Sequence, residues 1–185
     1  MTKTSAATSL FSMRPVDLRR DVPLIHGWVT QERARFWGMA EKSEDEVREV
    51  YAFLDSLDSH HAYLVRHLGV PVAIFQTYEP QHDPVGELYD VQEGDLGVHV
   101  LVAEGSRVPG FTGGLLAFAL GEVLADPAVR RIVGEPDVLN DKSRARALSL
   151  GAEEGPEIDL GWKRAQLLFL PRQTALALSG GSSTE

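Results

Sequence analysis

The sequence predicts an α+β fold in which helices flank one mixed, mostly antiparallel sheet. Three observations predict it. Two β-rich runs, residues 62–68 and Val70–Tyr78, are joined at Gly69 and pair as adjacent antiparallel strands. Ser43 and Glu46 have capping-box spacing, and Val47, Val50, Tyr51, Leu54 and Leu57 follow at helical period. A third, alternating and β-branched run over 96–102 leads through a glycine-containing loop into an apolar helix over 113–124.

The remaining elements fall between these. Residues 10–13 read as a short strand stopped by Pro15. Asp21 sits where an N-cap belongs, with Pro23 in the first turn of a helix reaching Val29. The capping-box helix is expected to end near Leu57, and a polar segment with Pro80, Pro84 and Gly86 precedes the strand at 96–102. Beyond the apolar helix come a strand over 131–134, a helix over 142–150 ended by Gly151, and a last strand over 164–170. The predicted order is β-α-α-β-β-β-α-β-α-β. One domain is expected over residues 9–178, with 1–8 and 179–185 as flexible termini.

Composition narrows the function classes. A length of 185 residues and 43% hydrophobic content suit one domain with a real core. A net charge of −9 argues against nucleic acid and against an anionic membrane surface, both of which call for a basic face. The absence of cysteine removes disulfides, cysteine–zinc sites and thiol nucleophiles. No apolar run is long enough to span a bilayer, and the polar start lacks the apolar stretch of a signal peptide. The expectation is a cytoplasmic protein, monomeric or homodimeric. His60, His61 and His67 lack an acid–histidine grouping at ligand spacing, so no metal is expected, and His26 reads as a helix-face residue.

The segment Arg107-Val-Pro-Gly110-Phe111-Thr112-Gly113-Gly114 lies between a strand and a helix. Such a junction presents backbone N–H groups and the positive end of a helix dipole to one point, which suits a pyrophosphate. The residues from Gly110 to Gly114 can donate; Pro109 cannot. An ordinary tight turn with glycines for geometry is the alternative. The segment is neither a dinucleotide-binding G-x-G-x-x-G nor a Walker loop.

The spacing Arg107, Gly110, Thr112 resembles the Arg-x-x-Gly-x-(Gly/Ala) pyrophosphate loop of the GNAT acyltransferases, with Thr112 as a departure and Gly113 beside it. Asn140 and Gly151 match a further Asn and Gly of that superfamily, whereas Ala147 stands where members often carry a tyrosine that protonates the departing thiolate. Three segments resemble its siderophore-biosynthesis branch, the lysine N-acyltransferases of hydroxamate pathways: residues 14–29 with Phe36-Trp37-Gly38-Met39, residues 89–102, and residues 130–140.

The resemblance implies a GNAT fold and an acetyl-CoA or another short acyl-CoA as co-substrate, with no metal. It implies a catalytic histidine at His99 and an acid at Glu135, with Asp137 as a nearby second carboxylate. The coenzyme would be held by Leu101, Val102, Arg107, Gly110, Phe111, Thr112, Gly113, Gly114, Asn140 and Arg144. Trp37, Tyr89, Asp90 and Asp137 would meet a small-molecule amine acceptor.

The chemistry of these residue types agrees. On a strand Gly97, His99 and Leu101 share a face, and a neutral imidazole can take the proton released when an amine attacks a thioester. A neighbouring acid can fix its tautomer, and a backbone N–H near Leu101 can polarise the thioester carbonyl. The alternative for His99 is a buried histidine bonded to a backbone carbonyl. For Glu135 and Asp137 it is a loop charge.

Between Arg66 and Arg107 there is no lysine or arginine but seven acids: Glu79, Asp83, Glu87, Asp90, Glu93, Asp95 and Glu104. They read either as an acceptor entrance that favours a cation or as a solvated loop. Trp28, Phe36, Trp37 and Met39 read either as a pocket roof or as core. The activity expected is acyl transfer to an N-hydroxylated amine. An aminoglycoside 6′-N-acetyltransferase-like enzyme and a non-catalytic acyl-CoA-binding module are the rivals.

Overall fold

The computed structural model describes residues 10–105 and 109–180. Seven strands form one sheet in the order β1-β2-β3-β4-β5-β7-β6, and only β4–β5 is a parallel pair. The strands are β1 (Phe11–Pro15), β2 (His60–His67), β3 (Val70–Tyr78), β4 (Asp95–Val102), β5 (Arg131–Gly134), β6 (Glu153–Asp159) and β7 (Arg164–Pro171). The helices are α1 (Val22–Val29), α2 (Glu44–Asp55), α3 (Phe111–Val123), α4 (Asp141–Ser149) and α5 (Arg172–Gly180). The expected α+β architecture, with a mixed and mostly antiparallel sheet flanked by helices, is therefore present.

Local signals placed the first half well. Ser43 and Glu46 close the reciprocal capping box of α2. The β2–β3 hairpin turns at Leu68 and Gly69, both at positive φ. Asp21 is the N-cap of α1, yet its side chain bonds no helix N–H. It is buried and accepts Arg14 Nη1 and Nη2 at 2.6 and 2.8 Å and the Asp17 N–H at 2.8 Å, tying the end of β1 to α1.

Five elements were not anticipated, two of them short 3-10 turns over Pro80–His82 and Pro84–Glu87. A 3-10 turn over Glu32–Trp37 lies between α1 and α2. β6 is an edge strand whose charged, Gly- and Pro-containing sequence reads as loop; its register shift between Glu154 and Glu157 accommodates Pro156. α5 carries the chain to Gly180, so residues 179 and 180 of the expected tail are helical, and the rest of that tail lies outside the described residues. At its start Arg172 donates to the carbonyls of Leu124, Asp126 and Val129, which follow α3. Pro15 closes β1 instead of stopping it earlier, as an outer strand allows.

The sheet buries both faces. α3 and α5 cover one, where Val65, Phe75, Leu115, Leu120 and Ile132 pack with Leu96, Val98, Val100 and Val102. α1 and α2 cover the other, where Val22, Ile25, Val47 and Tyr51 pack with Ile74 and Leu101. The strand period of two thus sends the even residues of β4 to α3 and leaves the odd ones, His99 among them, on the opposite face.

Candidate active site

β4 and β5 pair only through Asp95–Arg131, Leu96–Ile132 and Gly97–Val133. Beyond Gly97, β4 continues to Val102 with no β5 partner, so the sheet opens between the two strands. His99 stands at this opening. Continuing the parallel register by two residues places it across from Glu135, just past the end of β5.

The two side chains are hydrogen bonded, His99 Nε2 to Glu135 Oε1. The imidazole side chain is 38% exposed and the carboxylate 5%, so one partner is open to a ligand while the other is enclosed. The Tyr78 hydroxyl donates to Glu135 Oε2 at 2.7 Å. Lys163 Nζ donates to the Glu135 carbonyl at 2.8 Å and lies 3.4 Å from Oε1. Burial by itself would raise the Glu135 carboxyl, but His99, Lys163 and Tyr78 together hold it down to about 2. An ionised carboxylate only accepts, so Nε2 carries a proton, and in the neutral ring the lone pair is on Nδ1.

This depression has a stability consequence. The folded value lies below the ordinary 4.5, so Glu135 contributes stability that is present above 4.5 and lost as pH falls toward 2. Urea midpoints measured from pH 5 to pH 2 should fall less steeply for Glu135→Gln. A residual slope should remain, because Asp21 is also held low: burial opposes its ionisation, and the Arg14 hydrogen bonds, the Asp17 N–H and the charges of Arg14 and Arg20 together outweigh it. An unchanged slope would show that Glu135 is not ionised in the fold.

Tyr78 reaches Glu135 because Gly97 is opposite it: a Cβ at Gly97 would lie 2.0 Å from the Tyr78 ring. Burial, with the charge of Glu135, pushes the Tyr78 phenol well above its ordinary value, so it stays a donor. The Trp37 ring presents edge-on to His99 at 6.3 Å between centroids, from the 3-10 turn that packs on this face. Gln76 is the cross-strand partner of His99, and its buried Nε2 has no hydrogen-bond partner among the described residues.

The expected donor near Leu101 is corrected by the β3–β4 register. Ala103 N–H bonds the Val72 carbonyl at 2.8 Å, so the odd-numbered N–H groups of β4, Leu101 included, point to β3. The even-numbered groups, Val98, Val100 and Val102, face the opening. The Val102 carbonyl on that side accepts Arg33 Nη2 at 2.9 Å.

At the start of α3, Gly110 is the N-cap at φ 84°, a conformation that favours glycine. The N–H groups of Phe111, Thr112 and Gly113 open the helix with no carbonyl one turn back within it. Gly114 does not join them, since its N–H bonds the Gly110 carbonyl at 2.9 Å. Phe111 turns its ring onto His67 and Phe11, away from the backbone donors. Arg107 lies outside the described residues.

Several other expected residues hold the scaffold. Asn140 caps α4 by accepting the Ser143 N–H at 3.2 Å, and Arg144 donates to the Val138 carbonyl at 3.1 Å. Asp137 accepts the Leu139 N–H at 2.8 Å, which fixes the turn after Glu135. The Tyr89 hydroxyl donates to Asp95 at 3.0 Å. Asp95 is no rim acid: it is buried and also accepts Arg131 Nε and Nη2, each at 2.7 Å, and the Gln92 N–H at 3.0 Å. Glu87 and Asp90 remain exposed. Asp83 bonds the Val85 N–H and His60, and Ala147 lies in α4. Among the described residues no group of three or more His, Asp or Glu side chains is placed to hold a metal ion, and no helix is long and apolar enough to cross a membrane.

Tyr78, Lys163 and Gln76 escaped the sequence reading. Strand register could have found Tyr78 and Gln76, since both lie on β3 opposite the Gly97–His99 stretch. Nothing local marks Lys163, which comes from the turn between β6 and β7.

Comparison with known proteins agrees with this fold. The sequence model of the acetyltransferase (GNAT) domain matches residues 17–160. An N-hydroxyputrescine acetyltransferase of Acinetobacter baumannii is 25% identical over 163 residues, 88% of this chain and 78% of that protein. A lysine N-acyltransferase of Mycobacterium sp. (strain MCS) is 26% identical over 168 residues, 89% and 68% of the two chains. Among solved structures, an uncharacterized protein from Bacillus halodurans superposes with a TM-score of 0.85 at 22% identity, covering 92% of this chain and 88% of that one. The aminoglycoside acetyltransferase AAC(6′)-Ib in complex with coenzyme A superposes at 0.76 and 21% identity, covering 89% and 96%.

Proposed function

The chain belongs to the acetyltransferase (GNAT) family, and from that premise we propose that it transfers a short acyl group from acyl-coenzyme A to an N-hydroxylated amine, forming a hydroxamate. The observation that carries this reading is the His99–Glu135 pair at the opening between β4 and β5, with one imidazole face exposed. The names of the two relatives, an N-hydroxyputrescine acetyltransferase and a lysine N-acyltransferase, support the acceptor class.

The acyl-coenzyme supplies an activated thioester. The residues around it would do the following. The N–H groups of Phe111, Thr112 and Gly113 would hold the pyrophosphate, helped by the absence of an acid in the first turn of α3. The inward N–H groups on the open edge of β4 would bind the extended arm and polarise the thioester carbonyl. His99 would take the proton at Nδ1 as nitrogen attacks, while Glu135 holds the ring and stabilises the imidazolium; the C–S bond then breaks and coenzyme A leaves as a thiolate, protonated by the imidazolium or by water. N-Hydroxylation lowers amine basicity, so the nucleophile reaches the site largely neutral, and positioning with one modest base suffices.

The test is thiol release from acetyl-CoA and succinyl-CoA with N-hydroxylysine, N-hydroxycadaverine and kanamycin. Turnover of an N-hydroxylated amine is expected. Turnover of kanamycin alone would replace this reading with aminoglycoside acetylation. Coenzyme binding without turnover of any acceptor would point to a non-catalytic module.

A further inference from the structure

We propose that Lys163 is a positioning residue of the reaction, a cation that balances the Glu135 carboxylate so that His99 stays available as a base. The inference deepens the functional reading above and rests on it. The geometry is specific. Lys163 Nζ donates to the Glu135 backbone carbonyl at 2.8 Å and lies 3.4 Å from Oε1, the same oxygen that receives His99 Nε2. Imidazole and ammonium therefore share one carboxylate oxygen, while the Tyr78 hydroxyl occupies the other.

The electrostatic consequence follows from the arrangement. A buried carboxylate facing a histidine with no other counter-charge favours the protonated ring, which cannot accept a proton. A second cation on the same oxygen offsets that preference while leaving the hydrogen bond that orients the ring. Among the described residues, the titratable groups around the pair are Tyr78 from β3, Lys163 from the β6–β7 turn and, one layer out, His60 with Asp83 and Tyr89. Trp37 covers His99 from the 3-10 turn and carries no charge. Lys163 is thus the cation set against the carboxylate opposite His99.

The turn that carries Lys163 is built to place it. Asp159 accepts the Gly161 N–H at 2.8 Å, Gly161 is at φ 87°, and the Lys163 carbonyl accepts the Leu160 N–H at 3.0 Å. The start of β7 is in turn tied to the loop that follows β5, where the Val138 N–H bonds the Arg164 carbonyl at 3.0 Å and the Gln166 N–H bonds the Pro136 carbonyl at 2.9 Å.

The experiment is the pH profile of kcat/KM for acetyl-CoA with an N-hydroxylated diamine, in wild type, Lys163→Met and Lys163→Arg. Lys163→Met should move the acid limb up by about one pH unit, so that activity lost near neutrality returns at alkaline pH. Lys163→Arg should restore the wild-type limb, and Glu135→Gln combined with Lys163→Met should abolish the displacement. A Lys163→Met profile lowered equally at every pH, or one that Lys163→Arg does not restore, overturns the proposal and leaves Lys163 a structural tie. Wild-type turnover of kanamycin but of no N-hydroxylated amine would refute the acceptor assignment; the same profiles taken with kanamycin then still decide the role of Lys163.

Discussion

Replacing His99 with Gln is expected to lower kcat by roughly 10²–10⁴ while leaving KM for acetyl-CoA nearly unchanged, the range typical of a lost general base. Gln keeps a donor toward Glu135 but has no lone pair of imidazole basicity at the Nδ1 position. Glu135→Gln acts on the same function from the other side. It replaces a carboxylate that can only accept with a neutral amide that can also donate, so either tautomer of the ring can face it. Because the two residues would act as one unit, the double variant should be little slower than the worse single one. Steady-state kinetics with saturating acceptor measures all three. A His99→Gln enzyme within about threefold of wild type would exclude the ring as base and return it to a structural role.

The largest expected effect on stability comes from an acid that sequence placed on a solvent rim. Asp95 is buried and accepts four hydrogen bonds, two from Arg131, one from Tyr89 and one from the Gln92 N–H. Asp95→Ala strands a partly buried guanidinium, whose side chain is 26% exposed, against the face of Phe169. Breaking a buried pair from one side costs about 3 kcal/mol or more, which for a chain of this size lowers Tm by roughly 6–12 °C. Urea unfolding of Asp95→Ala, Arg131→Met and the double variant forms a cycle. The double variant should recover part of the loss, because neither charge is then left alone. A cost under about 1 kcal/mol for Asp95→Ala would mean that water reaches the pair.

What could be read in advance follows the range of the interactions concerned. The α2 capping box, the Leu68–Gly69 hairpin and the strand–glycine–helix junction are set by residues within a few positions of one another, and each was legible. β6 was not, because a solvent-facing edge strand needs no apolar alternation and its pairing with β7 supplies the order. Which N–H groups near Leu101 face the opening was not legible for a similar reason. Which way a strand's N–H groups point depends on its partner's register, and the Ala103–Val72 bond fixes that from outside β4. Gly114 fell to a shorter-range error: the first helical hydrogen bond begins one residue earlier than the glycine count suggests.

Sequence alone determined the class of fold, the histidine strand, the glycine-rich helix start and, by resemblance, the family. Tertiary structure decided what surrounds them. It joined His99 to Glu135 by ending the β4–β5 pairing two residues before the acid, and it brought Tyr78 and Lys163 onto the same carboxylate from β3 and the β6–β7 turn. It also drew Asp95 out of the acidic run and into the core. The physical reason is that a buried charge takes its partners from whichever strands the sheet places alongside, and 36 residues separate His99 from Glu135 and Asp95 from Arg131 alike.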